Sequence, residues 1–327
     1  MMNKIRWGII GTGLIAGKFA EGLGAVEDAE LVAVGSRTEA SAEAFATTYN
    51  VPRRYATYEE LAQDPNVDVV YISTPHPYHK DNSILCLNAG KAVLCEKPFT
   101  MNAVEAVEMI TLARSKRLFL MEAMWTRYFP AMVKVRELLA AGAIGEARLL
   151  NADFGFFREF DAQHRLFNPD LGGGAVLDVG VYVISLAHMI FGKPTRITGL
   201  AHFGATGTDD QSAYLLGYNG GQIAMLASAV QTETPHQAVI NGTLGRITIH
   251  RHFWQPRRLT LEVYGKERSE IEMPIVGNGY NYQVDEIHAC LRAGKLESSI
   301  MPLDESIDIM ETMDTLRAQW GLKYPGE

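Results

Sequence analysis

The stretch GTGLIA, residues 11–16, constrains the fold of this chain most, because it stands between an apolar strand-like run and a helical pattern. Gly11 permits a tight turn there, and Gly13 lets a phosphate group come close to the backbone. Ala16 allows the helix to pack closely on the strand, and the N-terminal end of that helix faces the phosphates. A plain tight turn is the alternative, which the position between strand and helix disfavours. We therefore predict a dinucleotide-binding turn formed by Gly11, Thr12, Gly13, Leu14 and Ile15.

Strand and helix patterns alternate through the first third of the sequence. Short apolar runs typical of strands buried on both faces occupy residues 5–10, 31–36, 67–74, 92–97 and 118–123. Helical patterns fill the intervals between them, and such alternation implies right-handed crossovers and a parallel sheet. We predict an α/β domain over residues 1–123 with a Rossmann doubly wound parallel sheet.

The pattern changes from about residue 147, where longer strand patterns are joined by Gly- and Asn-rich turns. Helical patterns occupy residues 174–192, 280–294 and 303–321. We predict that residues 124–327 form an α+β domain for substrate binding and oligomerisation, with a mostly antiparallel open sheet covered by helices on one face. Both strand parities are apolar in residues 223–230, so we expect the other face to meet a second subunit and form a homodimer.

Charge and cysteine content limit the partners and the compartment. The 327 residues carry a net charge of −8 and no cluster of Lys and Arg, which argues against a nucleic-acid surface. Cys86, Cys95 and Cys290 lack the spacing of metal ligands, and we expect buried free thiols in a reducing compartment, hence a cytoplasmic protein. The apolar start of the chain is superficially like a signal peptide, but glycines interrupt it and Lys18 ends it. No uninterrupted run of about 18 apolar residues occurs, and we expect no membrane span.

The end of the second strand pattern bears on the choice of cofactor. An Asp or Glu about 20 residues past the glycines is typical of NAD sites, where it holds the ribose 2′-hydroxyl. Here Ser36 and Arg37 stand in that place, and no acid occurs before Glu39. A hydroxyl and a guanidinium suit a 2′-phosphate, whereas the alternative makes Arg37 a solvated residue at a helix start. We predict NADP as the cofactor, with NAD as the second choice.

Further segments carry a resemblance to a known family. LCEKPF, residues 94–99, and GGGAVLDVGVY, residues 172–182, together with the turn at residues 11–16, are similar to the glucose-fructose oxidoreductase / inositol dehydrogenase (Gfo/Idh/MocA) family of two-domain dehydrogenases. The resemblance covers essentially the whole chain. Three segments resemble one branch of that family, which contains dihydrodiol and D-xylose dehydrogenases: residues 121–130, 177–182 and 309–314.

The resemblance implies a catalytic set. Glu96-Lys97-Pro98 would close the strand below the nicotinamide, with the Lys97 ammonium at the reacting oxygen of the substrate, where negative charge develops. Pro98 is expected to be cis, and a Lys97 that reaches out to the surface is the alternative. Tyr182 stands where many relatives carry an acid/base His, and the i,i+4 spacing places Asp178 on the same helix face. We expect Tyr182 to be the acid/base and Asp178 to meet the substrate, with packing of Tyr182 as the alternative.

Other assignments are weaker. The residues expected at the cofactor edge of the sheet are Thr74, His76, His79 and Glu96. His76 and His79 suggest no third ligand nearby, so we expect no metal site. Arg165 is expected to reach the cofactor phosphate or the substrate. The residues that wall an apolar substrate pocket, or simply pack in the core, are Trp125, Phe154 and Trp254.

The sequence therefore predicts an NADP-dependent oxidoreductase that moves hydride between a nicotinamide and a CH–OH or C=O carbon of a sugar, cyclic polyol or trans-dihydrodiol. Within enzymes, the alternative is a reductase of keto-sugars of the anhydrofructose type. From a different class, the alternative is a non-catalytic dinucleotide-binding regulator. The presence of both Lys97 and Tyr182 disfavours the regulator, which has no need of them.

Overall fold

A computed structural model describes residues 3–327 of the chain. The chain divides into two compact units. The first contains the described residues as far as Trp125 together with Val276–Ser306, and the second contains Thr126–Ile275 and Ile307–Glu327. The first unit runs to Trp125, close to the predicted boundary after residue 123. It also contains Val276–Ser306, which the prediction placed in the second domain.

The first unit is built on a six-stranded parallel sheet. Its strands are β1 Ile5–Ile10, β2 Ala29–Gly35, β3 Arg53–Tyr55, β4 Val69–Ile72, β5 Ala92–Cys95 and β6 Leu120–Glu122. The order across the sheet is β3-β2-β1-β4-β5-β6, which confirms the predicted Rossmann arrangement and reverses direction next to β1. Every residue of β4 and β5 is buried, as continuous apolar runs require in a sheet covered on both faces. The edge strand β3 was not predicted, because its sequence RRY carries no apolar signal.

Five helices connect these strands: α1 Leu14–Leu23, α2 Glu39–Tyr49, α3 Tyr58–Ala62, α4 His79–Asn88 and α5 Ala103–Lys116. Thr38 and Asn102 begin α2 and α5 as N-caps, since their side-chain oxygens accept hydrogen bonds from backbone N–H groups of the first turn. The core beneath α1 is aromatic, with Phe19 stacked on Tyr71 at 3.8 Å between ring centroids and Trp7 at 5.3 Å from Phe19. These contacts bury the apolar face of α1 on the sheet.

The second unit is built on an eight-stranded sheet in the order β14-β13-β12-β11-β7-β10-β9-β8. Its strands are β7 Ala147–Gly155, β8 Arg196–Phe203, β9 Asp209–Gly217, β10 Ile223–Ala229, β11 Ala238–Gly242, β12 Gly245–Ile249, β13 Arg258–Val263 and β14 Ser269–Glu272. Only the pair β7–β10 is parallel, which confirms the mostly antiparallel sheet. The short polar strand β14 was not predicted.

Helices α6 Pro130–Ala140 and α7 Val181–Phe191 also belong to the second unit, and a π-helical turn, Val176–Gly180, leads directly into α7. The helical stretch Pro169–Phe191 is long and apolar enough to cross a membrane by length and composition, with a mean hydropathy of 1.8. However, 83% of the most apolar 18-residue segment of this stretch is buried inside the protein, so the stretch has the character of a core helix.

Two further helices follow, α8 Asn281–Arg292 and α9 Leu303–Trp320. A buried polar chain attaches α8 to the first unit: the Trp7 indole N–H donates to His288 Nε2 at 3.0 Å, and His288 Nδ1 lies 2.8 Å from Asp28 Oδ1. The division between the units falls within α9. The sequence pattern of α8 shows amphipathic periodicity but does not indicate which core it covers.

Candidate functional site

The turn after β1 has the form that a dinucleotide requires. Gly11 has φ of +100°, and a Cβ there would lie 2.8 Å from Ser73 Oγ and 3.1 Å from the Ser73 carbonyl oxygen, so only glycine fits. A Cβ on Gly13 would meet nothing within 4 Å, which leaves open space at the N-terminus of α1. Leu14 is 85% exposed although it is apolar, and Ala16 is fully buried against the sheet. The turn therefore leaves room for a phosphate group beside the first backbone N–H groups of α1.

Parallel register brings several predicted residues to one edge of the first sheet. Ile10 pairs with Gly35 and with Ile72, and Ile72 pairs with Cys95. The residues that follow these strand ends, including Gly11, Ser36, Thr74, Glu96 and Lys97, therefore line the carboxyl edge of the sheet. This is the edge at which open α/β sheets bind their ligands, at the point where the strand order reverses.

Ser36 and Arg37 lie beside this turn. The Ser36 hydroxyl is buried and lies 3.3 Å from the Thr12 hydroxyl, so the end of β2 and the turn after β1 are in contact. Arg37 is exposed, and its guanidinium makes no ion pair with any acid in residues 3–327. Burial raises the pKa of the Tyr58 hydroxyl, and the positive charge of Arg37 opposes that rise. The residues present fit a 2′-phosphate, because a hydroxyl and an unneutralised guanidinium stand together.

His79 supports this edge from behind. It is fully buried, its Nε2 lies 2.8 Å from the Thr74 carbonyl oxygen, and its Nδ1 lies 2.8 Å from the Pro98 carbonyl oxygen. Burial lowers the pKa of His79 to about 4, and the Lys97 charge acts in the same direction. The imidazole thus lies between the segments after β4 and β5, and as a neutral ring it donates its single N–H to one of these two carbonyl oxygens. Both of its nitrogens face backbone carbonyl groups. Asn82 adds a hydrogen bond to Thr74 Oγ1 at 3.1 Å.

The Glu96-Lys97-Pro98 segment closes β5. Glu96 is buried, accepting a hydrogen bond from the Tyr71 hydroxyl at 2.5 Å on Oε1 and one from the Lys97 backbone N–H at 3.2 Å on Oε2. The Lys97 side chain is half-buried at the sheet edge, and the Lys97–Pro98 peptide bond is cis, as predicted. His76, also predicted for this edge, is buried with its ring centroid 5.7 Å from that of His79.

The second unit holds the other predicted group. Asp178 lies in the π-helical turn and Tyr182 in the first turn of α7, and both are buried. Single π turns inside helices are frequent at functional sites. Arg165 Nη1 donates to Asp178 Oδ1 at 2.7 Å, and the Arg165 side chain is half exposed while that of Asp178 is 5% exposed. The structure therefore places the Arg165 guanidinium on Asp178, a partner that the sequence did not indicate.

The aromatic residues fall into two sets. In the second unit, Phe154 stacks on Trp254 at 3.6 Å with an interplanar angle of 8°, and it lies 5.4 Å from Tyr182. In the first unit, Trp125 stacks on Tyr280 at 4.4 Å. Two neighbours were missed by sequence reasoning: Tyr71, the partner of Glu96, and His236, whose ring lies 4.9 Å from Trp254. An isolated Tyr or His carries no periodic signal that would have found them.

Known proteins resemble the chain over nearly its whole length. Residues 5–124 match the oxidoreductase family with an NAD-binding Rossmann fold, and residues 132–269 match the GFO/IDH/MocA C-terminal domain. Trans-1,2-dihydrobenzene-1,2-diol dehydrogenase of Mus musculus is 42% identical over 335 residues, covering 98% of both chains. The human protein of that name is 38% identical over 333 residues, again with 98% coverage of both.

Solved structures share the fold. KijD10, a 3-ketoreductase from Actinomadura kijaniata in complex with NADP and TDP-benzene, has a TM-score of 0.87 at 25% identity, covering 97% of this chain and 98% of its own. Aldose-aldose oxidoreductase from Caulobacter crescentus has a TM-score of 0.88 at 22% identity, covering 98% and 99%. With the dinucleotide turn, the strand-end lysine and both domain matches in agreement, this chain belongs to the Gfo/Idh/MocA family of NAD(P)-dependent oxidoreductases.

Proposed function

We propose that this chain oxidises or reduces a CH–OH/C=O carbon of a sugar, cyclic polyol or trans-dihydrodiol, with NADP as the hydride carrier. The observation that carries the proposal is the position of Lys97, a half-buried ammonium at the carboxyl edge of β5, on the same sheet edge as the dinucleotide turn. The identity of 42% to a dihydrodiol dehydrogenase supports this substrate class.

The first unit contributes cofactor binding. The residues that would hold the dinucleotide are the turn Gly11–Ile15, Ser36, Arg37, Thr74, His76 and Glu96. Ser36 and Arg37 would hold the 2′-phosphate, because no carboxylate stands there to repel it. Bound NADP supplies the hydride acceptor or donor. His79 acts indirectly by joining the backbone after β4 to the backbone after β5.

The ionisable side chains supply the charge and the proton. Lys97 stabilises negative charge on the reacting oxygen, which is most useful in a site from which water is excluded. The Tyr182 phenolate takes the alcohol proton in oxidation, and the hydroxyl so formed returns that proton in reduction. Asp178 holds a substrate hydroxyl. The hydrogen bond from Arg165 compensates the negative charge of the Asp178 carboxylate, four residues before Tyr182 in the chain. Phe154 and Trp254 offer the substrate an apolar wall, and the likeness of residues 121–130 to the family extends that role to Trp125.

A substrate screen tests the proposal. The purified chain is incubated with NADP+ and, in turn, pentoses, hexoses, inositols and trans-dihydrodiols, and NADPH formation is followed by its fluorescence. We expect turnover with at least one cyclic substrate. Tight NADP binding without turnover in either direction would reject the proposal and favour the non-catalytic regulator.

The open face of the second sheet supports a homodimer. Large apolar side chains of β8, β9 and β10 are exposed there: Leu200 (82%), Leu215 (48%), Ile223 (44%) and Met225 (41%). A monomer rarely leaves such a contiguous apolar face in water. Sedimentation is expected to give twice the chain mass of 36.1 kDa, and Leu200→Asp is expected to shift the protein to monomer.

Cys86, Cys95 and Cys290 are free and buried, which supports a reducing, cytoplasmic location.

A further inference from the structure

The loop Gly172–Gly174 leads into the helix that carries Asp178 and Tyr182, and it is closely packed on several sides. A Cβ on Gly173 would lie 2.9 Å from the carbonyl oxygen of Arg165. Gly174 has φ of +120°, and a Cβ there would collide with Asp209 Oδ1. These glycines are required because other segments of the second unit occupy the space where side chains would go.

Asp209 is one of these neighbours. It begins β9, is fully buried, and its Oδ2 accepts hydrogen bonds from the Val176 N–H at 2.8 Å and the Ser212 hydroxyl at 3.2 Å. Val176 is the first residue of the π-helical turn, whose initial N–H groups have no partner within the helix. A carboxylate at this end also interacts favourably with the helix dipole. Burial raises the pKa of Asp209 to about 7, and the two hydrogen bonds oppose that rise.

Tyr324 is the second neighbour. Its hydroxyl donates to the Gly173 carbonyl oxygen at 2.6 Å, in a fully desolvated position. Its ring lies against the Arg317 guanidinium, 5.2 Å from ring centroid to Cζ. Arg317 in turn binds both carboxylate oxygens of Glu327, at 3.1 and 2.8 Å. The segment after α9 is thus held in place and presents one hydroxyl to the glycine loop.

A polar layer on β9 and β10 lies beneath the next turn of the helix. Tyr214 donates to Ser228 Oγ at 3.0 Å, and Ser212 Oγ lies 3.0 Å from the same atom. A Cβ on Gly180 would lie 2.5 Å from the Tyr214 hydroxyl. Gly180 therefore lets the helix approach this layer between Asp178 and Tyr182, and Asp209 extends the same layer through Ser212.

We infer that Asp209 and Tyr324 are positioning residues for the proposed hydride transfer. Asp209 holds the Val176 N–H and Tyr324 holds the Gly173 carbonyl, so together they determine where the first helical turn begins. Asp178 and Tyr182 follow within two turns, and a misplacement of about 1 Å can cost about 10²-fold in rate. Neither Asp209 nor Tyr324 is proposed to touch the substrate or the cofactor. The inference rests on the proposed function, because it concerns the orientation of its acid/base.

The test compares four variants with the wild type. Asp209→Ala removes the acceptor for the Val176 N–H, Asp209→Asn keeps an uncharged acceptor, and Tyr324→Phe removes only a hydroxyl. Thr312→Val is the matched control, because Thr312 Oγ1 lies 3.0 Å from His188 Nε2 at the far end of the same helix. Each variant is assayed for kcat, KM and NADP+ affinity, at a temperature at which thermal unfolding shows it to be folded. Backbone amide exchange is measured for residues 174–182.

We expect Asp209→Ala to lose about 10- to 100-fold in kcat, with NADP+ affinity unchanged. Asp209→Asn should recover activity to within about threefold of the wild type, and Tyr324→Phe should lose about three- to tenfold. Exchange of residues 174–182 should rise about tenfold in Asp209→Ala, since a hydrogen bond to a buried carboxylate is lost. Thr312→Val should change neither kcat nor this exchange.

Two results would overturn the inference. The first is an Asp209→Ala variant that keeps more than half of the wild-type kcat. The second is a loss in Thr312→Val that equals the loss in Asp209→Ala, because the effect would then be general destabilisation. If the wild type itself turns over no substrate, the proposed function fails, and the exchange of residues 174–182 still decides whether Asp209 and Tyr324 fix this turn.

Discussion

The candidate residues of the first unit follow strand ends, whereas those of the second unit lie within a helix. Gly11, Ser36 and Lys97 are placed by the register of a parallel sheet, whose hydrogen bonds fix where each strand ends. Asp178 and Tyr182 are placed by a helix whose start depends on Asp209 and Tyr324. The first set is thus placed by the repeated backbone pairing of neighbouring parallel strands, and the second by single contacts from β9 and from the segment after α9.

Lys97→Met tests the first unit and carries the largest expected effect. Loss of the ammonium removes the charge that stabilises the reacting oxygen, so kcat should fall about 10³-fold or more with the fold intact. Lys91→Met is the control, because the buried Lys91 ammonium binds the carbonyl oxygens of Asp64 and Val67 at 2.6 and 2.9 Å and should affect stability only. Steady-state kinetics and thermal unfolding separate the two effects. A Lys97→Met variant with more than a tenth of wild-type kcat would contradict a role of the Lys97 ammonium in stabilising the reacting oxygen.

Tyr182→Phe tests the second unit. Turnover should fall about 10²- to 10³-fold, since the proton-transfer group is lost while the ring still packs on Phe154. Alcohol oxidation needs a deprotonated base, so the rise of wild-type activity with pH should disappear in this variant. Tyr218→Phe is the control, because Tyr218 lies beside Phe191 at the other end of α7. If Tyr182→Phe keeps a third of wild-type turnover while hydride transfer is rate-limiting, the residue serves packing.

Arg37→Ala tests cofactor choice in the first unit. NADP(H) should bind the wild type more tightly than NAD(H), and the variant should lose about ten- to a hundredfold of that preference, as one charge-assisted contact is worth about 1.5–3 kcal/mol. Arg54→Ala is the control, since Arg54 is on the same unit and pairs with Glu43. Titration with both cofactors measures the preference. Equal binding of NAD(H) and NADP(H) by the wild type would contradict the assignment of Ser36 and Arg37.

Acid stability tests whether both units contain a buried neutral histidine. Burial lowers the pKa of His79 to about 4 and that of His188 to about 3, against about 6.5 in an unfolded chain. Their contribution to stability is complete above about pH 6.5 and declines as the pH falls toward these folded values, because the unfolded chain binds the protons first. These two histidines together should lower the free energy of unfolding by about 2–4 kcal/mol from pH 7 to pH 5, while Asp209, whose pKa burial raises to about 7, acts in the opposite direction over the same range.

The variants His79→Asn and His188→Asn should each reduce this pH dependence, measured by denaturant unfolding at both values. If both variants keep the wild-type difference in unfolding free energy between pH 7 and pH 5, neither histidine is neutral and buried as described.

Local patterns were enough for the main architecture. Alternating strand and helix patterns indicated the parallel sheet, and GTGLIA indicated the dinucleotide turn, because both features depend on residues close in sequence. The strands missed, β3 and β14, are short, polar and at sheet edges, where burial imposes no apolar pattern. The segment 276–306 was predicted to belong with the second half, because an amphipathic helix shows that it has a core partner but not which one.

The residues that follow the strand ends, namely the glycine turn, the Ser36-Arg37 pair and Glu96-Lys97-Pro98, were predictable from the sequence, because short apolar runs mark where each strand ends. The contact of Arg165 with Asp178, and the contacts of Asp209 and Tyr324 with residues 173–176, were not predictable from the sequence. Tyr324 and Gly173 are 151 residues apart, and Asp209 and Val176 are 33 apart. Such contacts leave no periodic pattern, because each is made once, by two side chains or backbone groups that only the completed packing brings together.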